Sequence, residues 1–104
     1  MDREEFETYL NANSRVVAIF RSQASAYQHS KNRQRAASKR WSKIAVASAV
    51  DKMVNQFVDN VYDKLKANIK ENKFQPYESW VRFIETNEVL DGLEDTVAEM
   101  EFED

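Results

Sequence analysis

The sequence predicts an all-α protein: a small helical bundle built on a long helix hairpin with two shorter C-terminal helices. Only one glycine and one proline interrupt the 104 residues, whereas strand-rich folds need regular turn residues. Apolar residues recur at alternating spacings of three and four, which is the period of one helical face. Hydrophobic residues make up 42% of the chain, enough for one modest core, so residues 1–104 are expected to form a single helical domain.

The first helix is predicted over about residues 3–28. Asp2, followed three residues later by Glu5, has the form of an N-terminal capping box. An apolar stripe then holds one helical face for three heptads, with Asn13 as its polar exception. That asparagine indicates either a hydrogen-bonded helix contact or a local break. The stripe consists of Phe6, Leu10, Asn13, Val17, Phe20, Ala24 and Tyr27.

The second and longest helix is predicted over about residues 38–72. Its apolar face does not continue the register of the first stripe, which indicates a chain reversal within residues 28–38 and hence two antiparallel helices. The two stripes leave open whether these helices pair within one chain or in a homodimer. The second stripe consists of Ala47, Val50, Val54, Phe57, Val61, Leu65 and Asn68.

Two shorter helices are predicted after the hairpin, over about residues 76–88 and 92–100. Pro76 suits the first position of a helix, because its missing N–H needs no partner there. Asp91 is the expected cap of the last helix. An acidic end, residues 101–104, completes the chain and is expected to be loose. The apolar faces are Tyr77, Trp80, Val81 and Ile84 in one helix and Leu93, Val97 and Met100 in the other.

Charge is strongly segregated along the chain, although the formal net charge is only −3. Residues 8–50 contain no acid and carry +8, whereas residues 83–104 contain no base and carry −9. The cations concentrate in residues 31–43, here called the basic segment. Its six cations are Lys31, Arg33, Arg35, Lys39, Arg40 and Lys43, and they are the candidate binding residues.

The basic segment is either a solvated helix or a connection between helices, since few apolar residues separate Tyr27 from Trp41. On a helix, its cations would form an arc at i, i+4 spacing, with Ala37, Trp41 and Ile44 on the opposite face toward the core. Like charges at that spacing cost about 0.2–0.5 kcal/mol per pair. Local stability therefore does not account for the pattern, and an acidic partner is expected.

Three partners compete for the basic segment. The first is nucleic acid, whose phosphates attract clustered Lys and Arg, while Asn32, Gln34 and Ser38 add hydrogen bonds to backbone or base edges. The second is an acidic surface of another protein. The third is the protein's own acidic end, or that of a second copy. A sequence pI of 5.2 and the lack of a helix-turn-helix pattern weigh against a sequence-specific nucleic-acid reader.

The sequence favours a non-enzymatic protein without cofactor or metal. It has no cysteine and one histidine, which removes disulfides and Cys/His metal sites, and it has neither a Gly-rich phosphate loop nor a nucleophile motif. The N-terminus is acidic where a signal peptide is basic, and the longest apolar run, residues 44–50, is far too short for a bilayer. We therefore expect a cytoplasmic protein with no membrane partner.

The leading hypothesis is a helical binding module, a small regulator whose basic helical face contacts nucleic acid or a nucleic-acid-bound complex. The alternative is an inhibitor that blocks another protein by contact. Such inhibitors include those that mobile elements direct against host nucleic-acid machinery, such as anti-CRISPR proteins, and toxin immunity proteins. This comparison concerns general character only, so it assigns no residue a role.

Overall fold

Five α-helices form the computed structural model, which describes residues 1–102. The all-α class and the helix hairpin with two shorter C-terminal helices agree with the prediction. The molecule is elongated, with extents of 57 × 23 × 22 Å. The helices are α1, Arg3–Asn13; α2, Val16–Gln34; α3, Lys43–Asn68; α4, Pro76–Thr86; and α5, Val89–Ala98.

The predicted first helix is wrong in extent, because the chain breaks at Ser14 and forms two helices, α1 and α2. The Ser14 hydroxyl donates to the Leu10 carbonyl at 2.6 Å while its own backbone is extended. A serine that bonds its own helix in this way competes with the backbone ladder. Asn13 is the last residue of α1, so the local break is the correct alternative at this position.

The N-terminus of α1 carries the predicted capping box. The Asp2 carboxylate accepts from the Glu5 backbone N–H at 2.8 Å, and the Glu5 carboxylate accepts from the Asp2 N–H at 2.9 Å. Two backbone donors that the helix leaves unpaired are thereby satisfied. The start of α1 thus follows a signal in the local sequence.

The hairpin is held by an apolar seam between α2 and α3 within one chain. Phe20 stacks on Phe57 with ring centroids 4.3 Å apart and ring planes 13° from parallel. Around this pair Val50, Val54 and Val58 of α3 are buried. The antiparallel pairing is also marked on the surface by an ion pair of 2.7 Å between Arg21 and Asp51. The predicted apolar stripes therefore meet each other.

An aromatic cluster closes the end of the hairpin at the C-terminus of α3. Trp80 of α4 is fully buried and stacks on Tyr62 at 5.1 Å, with Phe6 of α1 at 5.9 Å. The Trp80 indole N–H donates to the Glu71 carboxylate, which also accepts from the terminal ammonium of Met1 at 3.4 Å. The cluster therefore ties α1, α3 and α4 together.

The last helix begins earlier than predicted, and the expected Asp91 cap is wrong. The N-terminal cap is Glu88, which has a left-handed backbone with φ of 51°, and Asp91 lies in the first turn of α5. After α5 the chain returns along α2, where Phe102 packs against Phe20 at 5.6 Å and Tyr27 at 5.3 Å. The acidic end is therefore anchored as far as Phe102; Glu103 and Asp104 lie outside the described residues.

Phe57→Ala should lower the free energy of unfolding by about 3 kcal/mol, the lower end of the range for phenylalanine truncation in cores, because Phe57 is only partly buried. Phe74→Ala is the matched control, since Phe74 is 92% exposed and its truncation should change stability by less than about 0.5 kcal/mol. Urea denaturation followed by circular dichroism measures both. Equal losses in the two variants would mean that the α2–α3 seam has been placed wrongly.

Acid should weaken the aromatic cluster through Glu71. The hydrogen bond from Trp80, reinforced by the Met1 ammonium, lowers the pKa of the Glu71 carboxyl below its usual value. A lowered pKa in the folded state gives a stabilisation that is complete above the ordinary glutamate pKa of about 4.3 and is lost as the pH falls through the lower value. In urea titrations across this window, Glu71→Gln should flatten the acid decline of stability. The control Glu4→Gln, at an exposed site, should decline like the unmodified protein.

Candidate functional site

The basic segment is a connection and not a continuous helix. It begins in the last turn of α2, passes through a single 3-10 turn, Ala37–Lys39, and ends at the first residue of α3. The predicted basic helical face is therefore wrong, because an i, i+4 arc needs unbroken helical backbone. The segment lies at the N-terminal end of α3, opposite the aromatic cluster. The 26 residues of α3 separate the two ends by about 39 Å at 1.5 Å per residue.

The six cations of the basic segment occupy different parts of this connection. Lys31 and Arg33 are in the last turn of α2, and Arg35 is its C-terminal cap. Lys39 is in the 3-10 turn, Arg40 follows that turn, and Lys43 opens α3. All six thus lie at one end of the molecule, on a turn and the helix ends that flank it instead of one helix face.

Asn32 fastens the two sides of the turn together. Its side-chain oxygen accepts from the Trp41 backbone N–H at 2.8 Å, and its side-chain N–H donates to the Trp41 carbonyl at 3.1 Å. The same oxygen accepts from the Arg35 guanidinium at 2.9 Å. The Asn32 amide is therefore engaged within the turn, and its expected hydrogen bond to a ligand stays a prediction. Sequence offers little signal for this pairing across nine positions.

Arg40 and Arg35 also contribute to the shape of the turn. The Arg40 guanidinium donates to the carbonyls of Arg33 and Arg35, each at 3.2 Å. These carbonyls lie at the C-terminal end of α2, where the helix leaves acceptors unpaired and where positive charge is favourable. The Arg35 guanidinium lies over the Trp41 ring at 3.9 Å from the ring centroid. Two of the six cations thus stabilise the turn itself.

Three other cations, Arg33, Lys39 and Lys43, are exposed, and their side chains make no hydrogen bond or ion pair with residues 1–102. The first turn of α3, which begins at Lys43, contains no acid. The positive end of the α3 dipole therefore adds to the field of these side chains. Lys31 differs, because it is half-buried with its ammonium 5.7 Å from the Tyr27 ring centroid.

Neutralisation by the protein's own acids is not seen within the described part of the chain. None of its carboxylates forms an ion pair with Arg33, Arg35, Lys39, Arg40 or Lys43. Asp51, two turns into α3, is paired instead with Arg21. Glu103 and Asp104, which belong to the acidic end considered for this role, lie outside the described residues.

Trp41 and Ile44 do not face the core, contrary to the prediction. Trp41 is 44% exposed and Ile44 is 84% exposed, so both add apolar surface beside the cations. Ser42 is the N-terminal cap of α3 and accepts from the Ala45 N–H at 3.1 Å. A serine before an apolar-periodic run is a signal for a helix start. That signal places Trp41 outside the helix and was available in the sequence.

Other kinds of site find no support in residues 1–102. Among the described side chains, no group of three or more histidines, aspartates or glutamates lies close enough to hold a metal ion. None of the helices in that range combines the length and hydrophobicity that a bilayer crossing requires. His29, predicted to be a surface residue, is exposed on α2.

Comparisons with known proteins return no match among family models, curated proteins or solved structures. The proposed function therefore depends on the geometry and charge of the basic segment.

Asn32→Ala should loosen the turn and lower the free energy of unfolding by about 1–2 kcal/mol, because two hydrogen bonds to the Trp41 backbone are lost. Gln34→Ala is the matched control, since Gln34 is an exposed amide two residues away. Urea denaturation measures stability, and acrylamide quenching of Trp41 fluorescence measures the loosening. A turn that stays as protected in Asn32→Ala as in Gln34→Ala would show that Asn32 does not hold it.

Proposed function

We propose that this protein is a non-enzymatic helical binding protein, a small cytoplasmic regulator whose basic segment contacts the phosphates of nucleic acid or of a nucleic-acid-bound complex. The observation that supports the proposal most is the group of exposed cations, Arg33, Lys39 and Lys43, without carboxylate partners in residues 1–102. Lys and Arg side chains that neutralise phosphates release the counterions condensed on the nucleic acid, and this release favours binding.

The structure of the turn favours binding with little ordering cost. Asn32 and Arg40 hold the backbone on both sides of the 3-10 turn before any ligand arrives. A prearranged loop loses less conformational entropy on association than a flexible basic tail does. The cations of the turn therefore have two roles. Arg40 holds the shape of the turn, and Arg33 and Lys39 are exposed on it and available to a ligand.

The acidic part of the chain restricts where a polyanion is able to bind. The acids of α5 and its flanks are exposed on a helix that packs against α2. Like charges repel a phosphate backbone, so the acidic surface disfavours binding along α5 and leaves the basic segment as a favourable contact. A polyanion is therefore expected to approach end-on. The exposed acids of this region are Glu85, Glu88, Asp91, Asp95, Glu99 and Glu101.

The alternative function is a protein-blocking inhibitor that acts through this acidic surface. In the described part of the chain, no acid from Glu85 onward forms an ion pair with a basic side chain. An unpaired acidic surface suits contact with a basic protein, including one that normally binds nucleic acid. In this alternative the basic segment does not contact the main partner. Variants of the basic segment therefore distinguish the two proposals, because only the nucleic-acid proposal expects them to weaken binding.

The double variant Arg33→Ala/Lys39→Ala should weaken binding to a short DNA and flatten its salt dependence. Each lost phosphate contact lowers the slope of log affinity against log salt by about 0.7–0.9 units, so two contacts lower it by about 1.5. Fluorescence anisotropy with a labelled oligonucleotide at several salt concentrations measures both quantities. Lys64→Ala/Lys70→Ala, which removes two exposed cations near the other end of α3, is the matched control and should leave the slope unchanged.

Two outcomes would contradict the proposal. Equal slopes for the two double variants would place the contact away from the basic segment. No binding of any oligonucleotide at low salt would overturn the nucleic-acid proposal and favour the inhibitor. In that case, charge-neutralising substitutions on the acidic surface are the next variants, with capture of a basic partner as the measurement.

A further inference from the structure

We infer that Trp41 is a stacking surface for an unpaired nucleobase, so that the ligand of the basic segment is single-stranded nucleic acid. This inference rests on the proposed function and specifies its substrate class. It starts from an aromatic side chain that the fold leaves partly exposed. Trp41 is 44% exposed, whereas the other tryptophan, Trp80, is fully buried.

The orientation of the Trp41 indole is set by its neighbours. The Arg35 guanidinium covers one side of the ring at 3.9 Å, and Asn32 bonds both the N–H and the carbonyl of the Trp41 backbone. A cation over a tryptophan ring is attracted by the π electrons, which favours this arrangement. The Arg35 contact thus favours one orientation of the indole before a ligand binds, and part of the side chain stays exposed to solvent.

A shallow groove borders the indole. It is lined by Trp41 and by one face of α3 made of Ala45, Ser48, Ala49 and Lys52. Ala45, Ser48 and Ala49 are small, so they leave room for a flat ring beside the tryptophan. Lys52 lies two turns beyond the start of this face and is exposed, where its ammonium is available to a phosphate. The groove thus combines an aromatic wall with a cation.

An unpaired base fits this groove better than the other ligands of a basic surface. Bases in a duplex are stacked on each other and do not present their faces, whereas single-strand binders combine cations with aromatic stacking surfaces. The groove pairs an aromatic ring with the cation Lys52, and none of its lining residues is acidic. This combination matches a polyanion that carries flat aromatic groups, whereas an apolar protein side chain would leave the cation without a partner.

Tryptophan fluorescence provides a direct test on the full chain. Because Trp80 is buried, quenching on addition of ligand reports on Trp41. The probes are oligothymidylate of about 12 nucleotides, within the usual range of single-strand sites, and a duplex of the same length. We expect the single strand to quench the emission and to bind more tightly than the duplex at equal salt.

Trp41→Ala should weaken single-strand binding by roughly 5- to 100-fold, the usual effect of removing one base-stacking aromatic, and should leave duplex binding nearly unchanged. Trp41→Phe should keep most of the affinity, because a phenyl ring still stacks. Both variants retain the Asn32 hydrogen bonds, which involve only the Trp41 backbone. Ile44→Ala is the matched control: it removes a neighbouring exposed apolar side chain that does not line the groove and should change neither affinity.

The possible results separate this inference from the proposed function. Binding of both probes that depends on Arg33 and Lys39 but not on Trp41 would overturn the stacking role and leave the phosphate-binding proposal standing. An equal loss for single strand and duplex in Trp41→Ala would also overturn it, since stacking on an unpaired base predicts a selective loss. If neither probe binds at low salt, the proposed function fails and the inference fails with it.

Discussion

The apolar seam between α2 and α3 is the constraint on which the rest of the molecule depends. Its buried valines, Val50, Val54 and Val58, lie beside the stacked pair Phe20 and Phe57, and burial of this kind is the main source of helix stability in a small bundle. The seam fixes an antiparallel hairpin, so the chain must reverse where the apolar stripe ends. No residue of the reversal, residues 35–42, is buried. Its backbone N–H and C=O groups that lack a backbone partner therefore bond to water or to polar side chains. The candidate site is built from the groups that perform this task and from the cations left over.

The helical class followed from the sequence because its signals are local and repeated. Each signal depends on residues within one or two helical turns. Examples are the capping box at Asp2, the start of α4 at Pro76 and the apolar face of α4 that contains Trp80. The break at Ser14 was only one of two alternatives, since the apolar stripe continues across it and a single hydroxyl bond decides the outcome. The left-handed cap at Glu88 was missed because the Asp91 pattern offered a stronger local signal for a helix start.

The sequence predicted which residues form the candidate site but not the separate role of each cation. Charge counting located the six cations, yet it treated them alike. Arg40 reaches carbonyls seven and five positions earlier in the chain, and Arg35 lies over Trp41, so their roles depend on how the turn folds back on itself. Arg33 and Lys39 are left exposed by the same fold. The apolar period predicted that Trp41 lies in the core, because it presumes a continuous helix. Ser42 is the N-terminal cap of α3, so Trp41 lies just outside the helix.

The side-chain bonds of the turn have a consequence for amide hydrogen exchange. The backbone N–H groups of Trp41 and Ala45 donate to the side chains of Asn32 and Ser42, whereas those within the seam donate to helical carbonyls above a buried core. Local opening costs least where few apolar contacts break, so these two amides should exchange far sooner than those of Val54 or Val58. We therefore expect the end of the hairpin to open more readily than its middle. A ligand that contacts both sides of the turn would slow amide exchange in the turn. The core amides would still exchange through global unfolding.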